Sequence, residues 1–270
     1  MSTFSADWLA LREPADHRAR DPQLGEILAY YLNPRTNIKL VDLGCGTGSN
    51  LRALAPDLSP ISQHWTLIDH DPELLKTARK QIEAWREQTA VTVVECRFES
   101  VDLQADLEKV ITDDCDVVTA AAFFDLVSES WLDRFVEVLA ERRPAIYTTL
   151  IYDGAMRWQP EHPADKAIES AFNSHQLSDK GFGPAAGPDA GDYLMKQLEL
   201  RAGYHVETMP SPWKLGANEL PLILATAEGV AQAARETGEV ADADIQSWLA
   251  SRKNLKSCEI GHIDLLALPQ

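Results

Sequence analysis

Three glycines at alternate positions, Gly44, Gly46 and Gly48, follow an apolar run over 38–43 and precede a helix-like stretch that begins near Asn50. Glycine takes positive φ without penalty and lets a ligand come close to the backbone. A buried strand feeding a glycine-rich turn and a helix N-terminus is an arrangement suited to nucleotide binding. The two phosphate-binding patterns do not fit. A dinucleotide loop wants a third glycine at position 49, where Ser49 stands, and a phosphate-cradling loop wants a lysine after Gly48, where none follows. A second group of residues with chemical potential lies further on. His175 sits in a polar stretch over 172–176, and the glycine- and proline-rich run 179–188 continues it. That composition specifies a shaped loop, and His175 is the candidate general base or acceptor-orienting residue. The seven histidines are scattered without metal-ligand spacing, so no metal site is expected.

Asp42, two positions ahead of the first glycine, followed by G-x-G-x-G, resembles the S-adenosylmethionine loop of class I methyltransferases. The resemblance covers residues 38–150 well and the rest by topology. It implies S-adenosyl-L-methionine as cofactor, held by the loop residues Asp42, Gly44, Gly46 and Asn50 and, at the end of the second strand, by Asp69 and His70. Asp69 matches the family's acidic residue for both ribose hydroxyls, and a carboxylate is an acceptor-only group suited to two O–H donors. Phe98 and Glu99 stand where the family places groups against adenine, and Ala120 begins a run of small residues for the methionine arm. Guanidinium matches carboxylate in a bidentate way, so Arg12, Arg18 or Arg20 is expected to meet the cofactor's carboxylate, with Arg20 leading. The Asp/Asn-Pro-Pro-aromatic signature of nucleobase and amide methylases is missing after the fourth strand, as is a Pro-Cys nucleophile.

The elements that must position these groups alternate. Strands are expected over 38–44, 64–70, 91–97, 116–120 and 145–151, with helices between them, which predicts a parallel sheet with right-handed crossovers. Residues 5–32 read as amphipathic helix broken at Pro14, and the charged run 11–20 reads as a solvated face. A strand over 204–209 and a closing strand over 259–268 bring the count to seven. The implied fold is an α/β three-layer sandwich, mostly parallel, with the last strand antiparallel between the fifth and sixth. Two segments, 152–190 and 210–257, depart from the alternation. Ligands bind beyond the carboxyl ends of such strands, so both are expected to cap the cofactor within one methyltransferase domain over 1–270. Tyr152, Trp158 and Trp213, beside Arg157, are candidates for an acceptor wall. His262 and Asp264 alternate onto one face of the last strand as a possible structural pair.

Composition limits the partners. The chain of 270 residues is 45% hydrophobic, with a formal charge of −17. Phosphate backbones need a basic footprint, and anionic membranes disfavour an acidic surface. Four cysteines without C-x-x-C pairing read as reduced thiols. No signal pattern is seen at the start, and a soluble, cytoplasmic protein is expected. The reading is an S-adenosylmethionine-dependent methyltransferase acting on a small molecule. A catalytically silent cofactor-binding protein is the alternative, and a nicotinamide oxidoreductase fits the loop less well. From the charge, DNA and tRNA should pass a filter-binding assay unretained at physiological salt. Tight retention of either would contradict the small-molecule reading.

Overall fold

The computed structural model describes residues 4–58, 61–91 and 93–270. The chain opens with α1 (Ala6–Ala19) and α2 (Pro22–Leu32). It then alternates through β1 (Asn37–Leu43), α3 (Ser49–Leu54), β2 (Ser62–Asp69), α4 (Pro72–Arg86), β3 (Val93–Ser100) and α5 (Leu103–Val110). Next come β4 (Val117–Ala121), α6 (Glu129–Arg142) and the long β5 (Ala145–Gln159). The remainder supplies α7 (Asp165–Gln176), α8 (Ala190–Gln197), β6 (Tyr204–Pro210), β7 (Trp213–Gly216), α9 (Leu220–Thr237), α10 (Asp242–Ser251) and β8 (Ser257–Pro269).

The strands form one sheet in the order β3-β2-β1-β4-β5-β8-β6, with β7 paired to β8. The pairs β1–β2, β1–β4, β2–β3 and β4–β5 are parallel, and β8 runs antiparallel to β5, β6 and β7. β1 is apolar on both faces, as a central parallel strand must be. Ile38 and Leu40 join a cluster with Leu24, Leu28 and Leu51 from α2 and α3, and Val41 and Leu43 join another with Leu107, Leu132 and Leu194 from α5, α6 and α8. A third cluster, around Ile168, Ile223, Val230 and Trp248, holds α7, α9 and α10 together as a cap.

The antiparallel last strand lies between the fifth strand and β6, as expected. The differences from the sequence reading lie at the cap. β7 is an eighth strand inside the segment expected to be helical cap. Residues 152–159 continue β5 instead of leaving the sheet, because Met156, Arg157 and Trp158 pair with the first residues of β8. Tyr152, Trp158 and Trp213 consequently sit in the cap's apolar cluster, away from the cleft beside the glycine loop. Pro14 does not break the N-terminal helix, which continues to Ala19. Contacts on both sides hold it: Arg12 pairs with Asp16 at 2.8 Å, and Asp16 accepts the Trp213 indole N–H at 2.9 Å. Tertiary anchoring here outweighs the missing backbone N–H.

The chain turns between α1 and α2 at Asp21, whose side chain caps α2 and whose own N–H donates to Asp264 Oδ2 at 2.9 Å. The other oxygen of Asp264 accepts the Leu150 N–H at 2.9 Å, where β5 bulges and Leu150 takes φ +60°. Asp264 is buried and ties three elements together. His262, its neighbour on the same face, makes no bond to it and has an unpartnered Nδ1. Asp264→Ala would leave two backbone donors without partners, at a cost of about 1–3 kcal/mol each. Urea unfolding should therefore show a loss of about 2 kcal/mol or more. A loss near zero would mean the turn does not depend on this carboxylate.

Candidate functional site

The carboxyl ends of β1, β2, β3 and β4 open into one cleft. Its lining includes Gly44, Cys45, Thr47, Ser49 and Asn50 from the glycine loop, Asp69 and His70 after β2, and Val101, Asp102 and Leu103 after β3. Ala121, Ala122, Phe123 and Leu126 follow from β4. Leu9, Arg12, Asp16 and Arg20 reach in from α1 and the turn behind it, and Lys180 and Phe182 from the loop after α7.

The glycine loop takes the left-handed backbone that its composition requires, with φ of +63°, +53° and +77° at Gly44, Gly46 and Gly48. A Cβ on Gly44 would lie 2.7 Å from the Phe123 ring. The Gly46 N–H donates to Asp69 Oδ2 at 2.9 Å, and the Asp71 N–H donates to Asp69 Oδ1 at 2.9 Å. Asp69 is thus fixed by two backbone donors, with acceptor capacity to spare. His70 lies beside it, Nδ1 3.3 Å from Asp69 Oδ1.

Asn50 is the junction of the site. Its amide nitrogen donates to Asp42 Oδ1 at 2.6 Å and to Thr119 Oγ1 at 3.0 Å, and its oxygen accepts Arg20 Nη2–H at 2.6 Å. Neither Nε nor Nη1 of Arg20 completes a hydrogen bond, although both are buried and the Tyr147 phenol is nearby. Among the described residues no carboxylate approaches Arg20 within 4 Å; Asp57 and Asp264 act on it from further away. Asp42 is fully buried, its Oδ2 has no partner, and burial pushes its carboxyl up to about 7 against the pull of Asn50 and Arg20.

α1 closes over the loop. Its His17 Nε2 lies 2.9 Å from Ser49 Oγ, and burial together with Arg20 holds the imidazole below its ordinary range. Glu13 accepts two bonds from Arg52 Nη2, each 2.7 Å, while Arg52 Nη1 donates to the Thr47 carbonyl at 2.8 Å. The charged run over 11–20 is therefore the inner face of the roof, not a solvated one. Arg18 is the exception and pairs with Glu219 at the surface.

The structure brings together Asp42, Gly44, Gly46, Asn50, Asp69, His70 and Arg20. It does not bring Phe98, Glu99, Ala120 or His175 to the cleft lining. Phe98 and Glu99 lie within β3, since that strand runs to Ser100. Phe98 packs under the Arg79 guanidinium, 4.5 Å from the ring centre, and Glu99 is exposed. Val101 and Asp102 hold the position expected for them. Ala120 is buried one residue too early, and Ala121 and Ala122 reach the lining.

His175 stands in the last turn of α7, its Nε2 2.9 Å from Glu236 Oε2 and its Nδ1 3.3 Å from Lys180 Nζ. Its helix turns it towards α9, and it reaches the cleft only through Lys180. Two further residues escaped the sequence reading. Asp125, just past β4, is buried with Oδ1 unpartnered, and burial pushes its carboxyl up to about 6. Lys180 had a signal in its setting, since it lies within the glycine- and proline-shaped run beside His175. No metal-binding group of His, Cys, Asp or Glu occurs among the described residues. No helix there is long and apolar enough to cross a membrane.

Residues 40–142 match the family model described as a methyltransferase domain. Over those residues the chain is similar to methyltransferase domains. Such a domain implies S-adenosyl-L-methionine as cofactor. A curated relative, the carboxy-S-adenosyl-L-methionine synthase of Photorhabdus laumondii, is 28% identical over 69 residues, a match spanning 26% of this chain and 27% of that protein. Solved structures share the fold at low identity. The cyclopropane-fatty-acyl-phospholipid synthase-like protein from Lactobacillus casei gives a TM-score of 0.54 at 14% identity, covering 97% of this chain and 94% of that one. The YcgJ protein from Bacillus subtilis gives 0.53 at 12% identity, over 93% of this chain and 99% of that one.

The orphaned atoms test whether the methyltransferase domain's cofactor fits this particular cleft. A guanidinium with two free N–H groups suits an amino-acid carboxylate, and a carboxylate fixed by two amides suits a diol. The residues fit the group.

Asp42 also makes the fold pH-sensitive. Its folded proton affinity exceeds that of the unfolded chain, so the native state binds more protons between about pH 4 and 7, and stability falls as pH rises through that window. Asp125 and Asp264, both raised by burial, act in the same sense. In Asp42→Asn the drop in unfolding free energy from pH 5 to pH 8 should be smaller than in the wild type. An undiminished drop would remove Asp42 from the account.

Proposed function

We propose that this protein transfers the methyl group of S-adenosylmethionine to a small-molecule acceptor bound under the roof made by α1 and the loop after α7. The observation that carries this reading is the Asp42–Asn50–Arg20 network, whose three residues line the cleft and which keeps buried polar atoms unpaired. When bound, the cofactor supplies an electrophilic methyl on a sulfonium. Arg20 would take its carboxylate. Asp69, already oriented by Gly46 and Asp71, would accept the ribose hydroxyls. His70, Val101, Asp102 and Leu103 would form the adenine end of the cleft. The acceptor then lies towards Arg12, Ala122, Phe123, Lys180 and Phe182.

Little further chemistry is asked of the chain. The reaction gains mainly from alignment, and holding acceptor and methyl in line can contribute roughly 7–11 kcal/mol. A base is required only where the acceptor loses a proton. The acidic surface, at a formal charge of −17, favours small acceptors over nucleic acid.

Calorimetry with S-adenosylhomocysteine tests the cofactor site. Asp69→Ala and Arg20→Met should each weaken binding about tenfold or more, since each removes a charge-assisted contact worth about 1.5–3 kcal/mol. Labelled S-adenosylmethionine incubated with the protein and a metabolite extract should yield a labelled small molecule. Binding of NAD in place of S-adenosylhomocysteine would overturn the assignment.

A further inference from the structure

The acceptor end of the cleft carries a cation without a carboxylate at ion-pair distance among the described residues. Lys180 Nζ is held by the Ser178 hydroxyl at 2.8 Å, the His175 carbonyl at 3.2 Å and His175 Nδ1 at 3.3 Å, none of them a carboxylate. Among the described residues, no carboxylate lies within 4 Å of it. The arrangement is built, not incidental. Asp179 Oδ1 accepts the N–H groups of Gly181 and Gly183 at 2.7 and 3.0 Å, and both glycines take positive φ. That tight turn sends two alternate side chains, Lys180 and Phe182, into the same cleft. Behind Lys180, His175 is oriented by Glu236 at 2.9 Å, so that Nε2–H donates outward and Nδ1 accepts the ammonium.

The surrounding groups complete the picture. Arg12, on the opposite wall, is already neutralised by Asp16 through two bonds of 2.8 and 3.1 Å. Two carboxylates act on Lys180 from beyond ion-pair distance, Glu236 through His175 and Asp125 from its buried site. Beside the ammonium lies apolar surface. Phe182 meets Phe123 and Trp131 edge-on, with ring centres 5.7 Å apart in both cases. A partly buried cation next to an aromatic floor is a receptor for a molecule with an anionic end and an apolar body.

We infer that the methyl acceptor is a small organic anion, an apolar or aromatic molecule bearing a carboxylate or phosphate, whose charged group binds Lys180. The inference rests on the cofactor reading above. Lys180 sets specificity, and His175 and Glu236 are positioning residues that hold it. The pattern also gives a role to the polar stretch around His175, which works one residue removed from the cleft.

The test uses the full chain saturated with S-adenosylhomocysteine and titrated with matched probes: benzoate against benzamide, phenylacetate against phenylacetamide, and phenyl phosphate against phenol. In at least one pair the anion should bind and its neutral counterpart should bind at least tenfold more weakly. Lys180→Met should lose that preference while keeping its affinity for S-adenosylhomocysteine, which also reports that it has folded. Lys180→Arg should retain it, and His175→Ala should reduce it partially. Equal binding of anion and neutral molecule, no binding of any anion, or an undiminished preference in Lys180→Met would each overturn the inference while leaving the cofactor site standing. Failure of the wild type to bind S-adenosylhomocysteine at all would overturn both.

Discussion

A single buried amide holds the glycine-loop end of the cleft together. Asn50, in the first turn of α3, bonds a carboxyl of β1, a hydroxyl of β4 and a guanidinium from the α1–α2 turn. Each of those partners would be costly to bury alone, since an unpaired polar group in the interior loses its hydration without return. Asn50 can serve all three because an amide both donates and accepts. The glycine loop, the fourth strand and the N-terminal segment are thereby fixed relative to one another. The network stays incomplete at Asp42 Oδ2 and at two nitrogens of Arg20, and both residues line one cleft.

The N-terminal helix depends on the same loop. Leu9 lies against Gly46, with a Cβ there meeting it at 3.0 Å, and Glu13, His17 and Arg20 reach Arg52, Ser49 and Asn50 in turn. Positions 9, 13, 17 and 20 recur at helical spacing and so share one face. That face is charged where an ordinary core-facing stripe would be apolar, because what it covers is a polar backbone turn and not a hydrophobic sheet. The roof and floor of the cleft are therefore joined by ion pairs and hydrogen bonds, while the cap across the cleft is joined by its own apolar cluster. The two walls have different cements, and they meet at Trp213, which packs on the cap and donates to Asp16 of α1.

The cap places chemistry by an indirect route. α7 and α9 bring His175 and Glu236 together, and the Asp179 turn then projects Lys180 and Phe182 inward. In sequence these residues form one polar stretch of similar character throughout. Only the end of α7 at Gln176 decides that His175 turns towards α9 and Lys180 towards the cleft.

Much of the fold was legible because its signals are local. The alternation of buried strands and amphipathic helices and the turn at the three glycines follow from periodicity and backbone stereochemistry, which a few neighbouring residues determine. Asp42, Gly44, Asn50, Asp69 and Arg20 could be named from the resemblance to the class I methyltransferase loop. The rest depended on contacts between residues far apart in the chain. Pro14 was overridden by Asp16 bonding Trp213, and β3 ran on to Ser100, shifting the lining from Phe98 and Glu99 to Val101 and Asp102. β5 was prolonged by a partner strand a hundred residues away, and His175 was claimed by Glu236. Sequence alone determined the glycine turn and the polar residue types beside it, since those are written in the residues at the ends of strands. Which of them meet, and which cation is left without a partner, only the tertiary structure decided, because hydrogen-bond partners and charge compensation are settled by packing across the whole chain.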